Sequence, residues 1–186
     1  MKQQQPEMVQ QLEEMEERMQ EPFTSRGGIV IAKMTNSRSM GAAIGASVGK
    51  SVEEIWISGG NVTAKSSGGA GIGTGGAFRN EERTGKIVIE GGTVNASSGS
   101  GAGIGSGHGY APGDSAITAD IEIHGGMITA YSYSGACIGS GKSSSSKVLI
   151  DGGTICLDKK TTGYRKVAHI GMGESSNTQV QTDVTI

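Results

Sequence analysis

Apolar and polar residues alternate in short bursts along residues 27–186, and the bursts return in a fixed order. Ile55 and Ile57 alternate with polar neighbours, as do Ile87 and Ile89, Ile121 and Ile123, and Val148 and Ile150. A Gly-Gly pair follows each of these, at 59–60, 91–92, 125–126 and 152–153, and a further pair stands at 27–28. Behind each Gly-Gly comes a second burst: Val30 and Ala32, Val62 and Ala64, Val94 and Ala96, Ile128 and Ala130, Ile155 and Leu157. A third lies in a glycine-rich phrase: Ala42 and Ile44, Ala70 and Ile72, Ala102 and Ile104, Ala136 and Ile138, Ala168 and Ile170. The Gly-Gly spacings are 32, 32, 34 and 27 residues.

Period-two alternation predicts strands with one buried face. A repeat of this length predicts that equivalent strands stack between units, each unit burying its apolar face against the next. The expected fold is all-β: a parallel β-helix (β-solenoid) of about five three-stranded coils, with an N-terminal α-helix. Ile72, Ile104 and Ile138 should form one inward column, and Ile57, Ile89, Ile123 and Ile150 another. The Gly-Gly pairs should turn tight corners, where glycine accepts positive φ. In the glycine phrase, Gly71, Gly103, Cys137 and His169 are expected to share an outward position. A phosphate-binding loop is the competing reading of that phrase. It would have to open a helix and would ordinarily occur once, and no G-x-x-x-x-G-K-[ST] motif is present.

The first residues break the pattern and suggest two regions: 1–26, a helix and linker, and 27–186, the β-helix. Residues 3–21 are rich in Gln, Glu and Met, which are good helix formers. Met8, Leu12, Met15 and Met19 are spaced 4, 3 and 4, as on one helix face. Such a helix would cap the first coil or anchor the module to another protein chain, as a homo-oligomer or in a larger particle. At the other end, residues 183–186 read as a fresh first strand without its Gly-Gly. Either that strand closes the last coil or the array continues.

Composition sharpens the picture. Glycine accounts for 33 of 186 residues and aromatics for 4%, which suits an array better than a globule with one large core. The formal net charge is −2 and there is no basic cluster, so nucleic acid is not an expected partner. No apolar run is long enough to span a membrane. The first twenty residues lack the apolar core of a secretory signal. The protein would then act where it is made, leave by lysis, or have lost a leader. Cys137 and Cys156 lack metal-ligand spacing with His108, His124 and His169, so neither a metal nor a cofactor is expected.

Variable loops between conserved-length strands are where binding chemistry is expected. The loop 106–120 carries His108, Tyr110 and Asp114, an aromatic ring beside polar groups, as sugar recognition requires. The same residues are compatible with an ordinary polar turn. Tyr131 and Tyr133 lie between the second and third strands, with Tyr164 in the equivalent loop. They are candidates for a ligand or partner stripe, or they shield the coil edge. Glu90, His124 and Asp151 follow Ser58 in one outward column that either serves chemistry or is a solvated face. The outward positions of the second strand approach a threonine ladder, interrupted by Met127 and Cys156.

The run "IVIEGGTVNASSGSGAGIGSG" at 87–107 resembles the glycine-rich β-helix repeats of large bacterial surface proteins described as adhesin-like or carbohydrate-binding, and similar repeats occur in bacteriophage fibres and appendages. The resemblance covers residues 27–186. It implies a non-enzymatic structural or binding solenoid on a virion or an extracellular surface, displaying loops for attachment, with a glycan among the ligands. It offers no site motif from which to carry over binding residues. The competing class is a polysaccharide-acting β-helix enzyme, a lyase or hydrolase, which would need acids and bases gathered in one groove.

Overall fold

The structure is a computed structural model, and it describes residues 19–20, 22–34, 36, 38–77, 83–109, 117–158, 168–174 and 182–186. Its strands are β1 (Met19–Gln20), β2 (Phe23–Lys33), β3 (Ile44–Gly45), β4 (Ser51–Lys65), β5 (Ile72–Gly73), β6 (Arg83–Ile89), β7 (Thr93–Ser98), β8 (Ile104–Gly105), β9 (Ile117–Ile123), β10 (Met127–Ser132), β11 (Ile138–Gly139), β12 (Ser145–Ile150), β13 (Thr154–Asp158), β14 (Ile170–Gly171) and β15 (Thr182–Thr185). All pairings are parallel and join each coil to the next. The first-strand face runs from the start of β4 through β6, β9 and β12 to β15. The second-strand face runs from the end of β4 through β7 and β10 to β13. The third runs β3, β5, β8, β11, β14.

The expected inward columns are present. Ile72, Ile104 and Ile138 are in register and fully buried, as are Ile57, Ile89 and Ile123, with Ile150 closing that column nearly buried. Each fully buried isoleucine contributes about 1.5–3 kcal/mol through removal of apolar surface from water. Alanines 64, 96 and 130 are just as buried and bring the second-strand face close to the core axis. Polar groups inside the coil are paired. The hydroxyls of Ser66, Ser98 and Ser132 donate to the carbonyls of Gly41, Gly69 and Gly101, each at 2.7 Å. This ladder is the polar counterpart of the isoleucine columns and keeps buried carbonyls satisfied.

Two expectations of the architecture are overturned. Among the described residues there is no helix, and Met19 and Gln20, read as the end of one, form a strand paired with Ser51 and Val52. Helix propensity differs by only tenths of a kcal/mol per residue, whereas parallel pairing supplies hydrogen bonds to an otherwise open strand edge. Met8, Leu12 and Met15 lie outside the described residues. The coil count is about four turns rather than about five. The first rung is irregular: β2 slips register against β4 between Ser25 and Arg26 and again between Arg26 and Ile29, and Ile29 and Ile31 stay exposed.

Candidate binding surfaces

The third side of the coil is a pinch. In each glycine phrase the alanine N–H donates to the carbonyl four residues on: Ala70 to Thr74 at 3.0 Å, Ala102 to Ser106 at 2.9 Å, Ala136 to Ser140 at 2.9 Å. The chain leaving this pinch then meets the chain that entered the previous one. His108 N–H donates to Gly68 carbonyl at 3.2 Å, Lys142 N–H to Ser100 carbonyl at 3.1 Å, and Glu174 N–H to Ser134 carbonyl at 3.0 Å. These bonds form a seam along the solenoid, across the coil from the Gly-Gly corners. Cys137 does not point outward as expected. It is fully buried, with its Sγ 3.7 Å from the Asp158 carbonyl. The equivalent Gly71 and Gly103 face the backbone of the second strand in the same way, while His169, in the last coil, is exposed.

His108, Lys142 and Glu174 occupy the same position in successive coils along this seam. Burial, and then the positive charge of Lys142, lower the His108 pKa from 6.5 to about 4, with Glu174 opposing. The imidazole is therefore uncharged at neutral pH. Tyr133, 45% exposed, precedes Ser134, the acceptor for Glu174, so it flanks the seam in the coil that follows that of His108. That is roughly 5 Å along the axis at about 4.8 Å per rung. Tyr131 sits half-buried on the second-strand face beside Ser97 and Asp158. Of the five predicted ligand residues, then, His108 and Tyr133 share the seam and Tyr131 stands at its edge. Tyr110 and Asp114, like Tyr164, lie outside the described residues.

The first-strand face holds a second arrangement, largely missed from sequence. One outward column reads Glu54, Lys86, Asp120, Lys147, Asp183, in register across five strands and strictly alternating in sign. Lys86 Nζ lies 3.9 Å from Glu54 Oε1 and 3.6 Å from Glu122 Oε1. The other Glu122 oxygen is 3.5 Å from His124 Nε2. His124 Nδ1 donates to Asp151 Oδ1 at 2.6 Å. The hydrogen bond to Asp151 raises the His124 pKa above its ordinary value against a lowering by desolvation, with the charge of Asp151 and then Glu122 adding to the rise. Between the charges, Val52, Thr84, Lys86, Thr118, Asp120 and Lys147 border a shallow groove of about 350 Å³. Trp56 lies on the same face, with the Arg26 guanidinium 5.4 Å above its ring centre.

The charge column was hidden because its members are 32, 34, 27 and 36 residues apart. Only the register of the isoleucine columns reveals that they align. The Glu90–His124–Asp151 column was visible from its fixed distance to Gly-Gly, but Glu122, which engages the far side of the imidazole, was not.

A family model described as a beta helix repeat matches residues 55–76, 87–108 and 121–142. Each match begins on a first strand and ends at the seam. No curated protein and no solved structure matches the chain significantly. Repeat matches and parallel rungs agree on one conclusion: the chain is a β-helix repeat protein.

Proposed function

We propose that the chain is a non-enzymatic structural and binding module, a rigid solenoid on a virion or extracellular surface that holds its seam and loops out for attachment, with glycans as the ligand class. The observation that carries this reading is the seam. There the neutral imidazole of His108, the charges of Lys142 and Glu174, and the exposed ring of Tyr133 follow one line. An aromatic face beside neutral and charged hydrogen-bonding groups is what a pyranose with hydroxyls at its rim requires.

The test is a glycan array probed with the parent protein and with Tyr133→Ala and His108→Ala. Binding by the parent that weakens at least about tenfold in both variants supports attachment through the seam; a tenfold loss corresponds to about 1.4 kcal/mol. An array with no bound glycan overturns the glycan reading. Sustained release of product from any polysaccharide would replace it with the enzymatic one.

A further inference from the structure

We propose that the first-strand face is a self-complementary interface for a second copy of this chain, packed antiparallel about a two-fold axis that lies along the strand direction and passes between the Lys86 and Asp120 rungs. This goes beyond attachment through the seam and does not depend on it. An axis in that direction reverses the order of rungs while keeping each outward column opposite itself.

Three columns then match at once. In the charge column, Lys86 faces Asp120 of the second copy and Glu54 faces Lys147, and each pair occurs twice. In the next column the order is Trp56, Val88, Glu122, Leu149. Trp56, with the Arg26 guanidinium over its ring, therefore comes opposite Leu149, and the low-lying Val88, 8% exposed, comes opposite the stem of Glu122. At the corner, backbone bonds stack Glu90, His124 and Asp151 in successive coils. Glu90 of one copy falls opposite His124 of the other, whose raised pKa favours the charged form. The groove between Thr84 and Thr118 sits on the axis, where side chains of the second copy fill it.

Three other arrangements of the same faces fail. A two-fold that runs along the charge column, parallel to the solenoid axis, sets every charge against itself, like on like. An axis passing through any rung of the charge column does the same. Moving the axis one rung on, between Asp120 and Lys147, keeps the charges matched but leaves Trp56 without an apolar partner.

The overlapping part of the face is about seven residues wide and four rungs tall, or roughly 440 Å² per copy at about 3.3 Å per residue and 4.8 Å per rung. A total of roughly 900 Å² is below the usual size of a stable specific interface and fits a weak, transient one. Charge therefore sets the register and the contact should be weak and salt-sensitive.

Sedimentation of the full chain at low salt should show a monomer–dimer equilibrium that shifts towards monomer as salt is raised. Lys86→Glu and Asp120→Lys should each be monomeric, because each places two like-charged pairs at the axis. Mixed one to one, these variants should form a heterodimer, since Glu at 86 then faces Lys at 120 and Lys86 faces Asp120. Circular dichroism confirms that each variant is folded; should either fail, Glu54→Lys and Lys147→Glu make the same complementary pair on the outer rungs. A parent that stays monomeric at high concentration and low salt overturns the proposal. So does an association state other than dimer, or a mixture that does not dimerise.

Discussion

A methyl group built on Gly105 would land on the carbonyl oxygen of Gly139 in the next coil. Gly105 also holds φ at +136°, a region where side chains are strained. Two independent constraints thus meet at one glycine of the pinch. Gly105→Ala should destabilise the protein by at least about 3 kcal/mol, through strain and a forced separation of rungs. Urea unfolding of the two proteins measures this. A variant within about 0.5 kcal/mol of the parent would show that the coils do not stack this closely.

Ile104→Asp places a carboxylate in the column between Ile72 and Ile138, where the parent side chain is fully buried. Burying a charge with no partner should cost about 4 kcal/mol or more and abolish folding at physiological temperature. A cooperative melt like that of the parent would mean the strands are threaded wrongly.

At the Gly-Gly corner, Gly92 has φ of +87° and its absent Cβ would stand 2.7 Å from the Gly60 carbonyl. Gly92→Val should loosen that corner and raise hydrogen exchange in the coils on either side, because an array couples each unit to its neighbours. Unchanged protection at the amides of Val62 and Ile128 would exclude this coupling.

Ser98→Ala removes the 2.7 Å hydrogen bond to the buried Gly69 carbonyl. The expected loss is about 1–3 kcal/mol, since the acceptor is left unsatisfied away from water. Chemical denaturation decides it, and a neutral result would mean that water reaches the ladder.

Acid should weaken the fold through His108. In the unfolded chain the imidazole takes up a proton near pH 6.5, but in the folded chain only near pH 4. Between those values the unfolded state binds more protons, so stability falls as pH drops through the window and is constant above it. His108→Gln should flatten this dependence. His124 acts in the opposite sense: its raised pKa supplies stability below pH 6.5 that is lost as pH rises through the folded value. A His124→Gln variant separates the two, and an unchanged acid slope in His108→Gln would contradict the assignment.

The columns and corners were legible because strand alternation and the Gly-Gly spacing are local signals that every unit repeats. Ile57, Ile89 and Ile123 need no knowledge of the connections between them. The N-terminal error had a physical cause: propensity at Met19 and Gln20 pointed to a helix, but an open strand edge at Ser51 and Val52 pairs with them. Cys137 was misplaced because its equivalents in the two preceding coils, Gly71 and Gly103, carry no side chain to report a direction. The pinch and seam depend on hydrogen bonds such as that from His108 to Gly68, between residues 40 apart. No sequence period marks these.

The seam has a consequence for how such a chain can change. The bond from His108 to Gly68 and the bridge between Ala77 and Gly109 fasten the backbone just before residue 110, and β9 fastens it again at Ile117. Whatever lies between those points is entered and left at fixed positions. Doubling the length of such a segment costs only about 0.6 kcal/mol in closure entropy. The solenoid therefore works as a rack with standard fittings, on which inserts of differing length and sequence can be exchanged without altering the pitch of the coils that carry them.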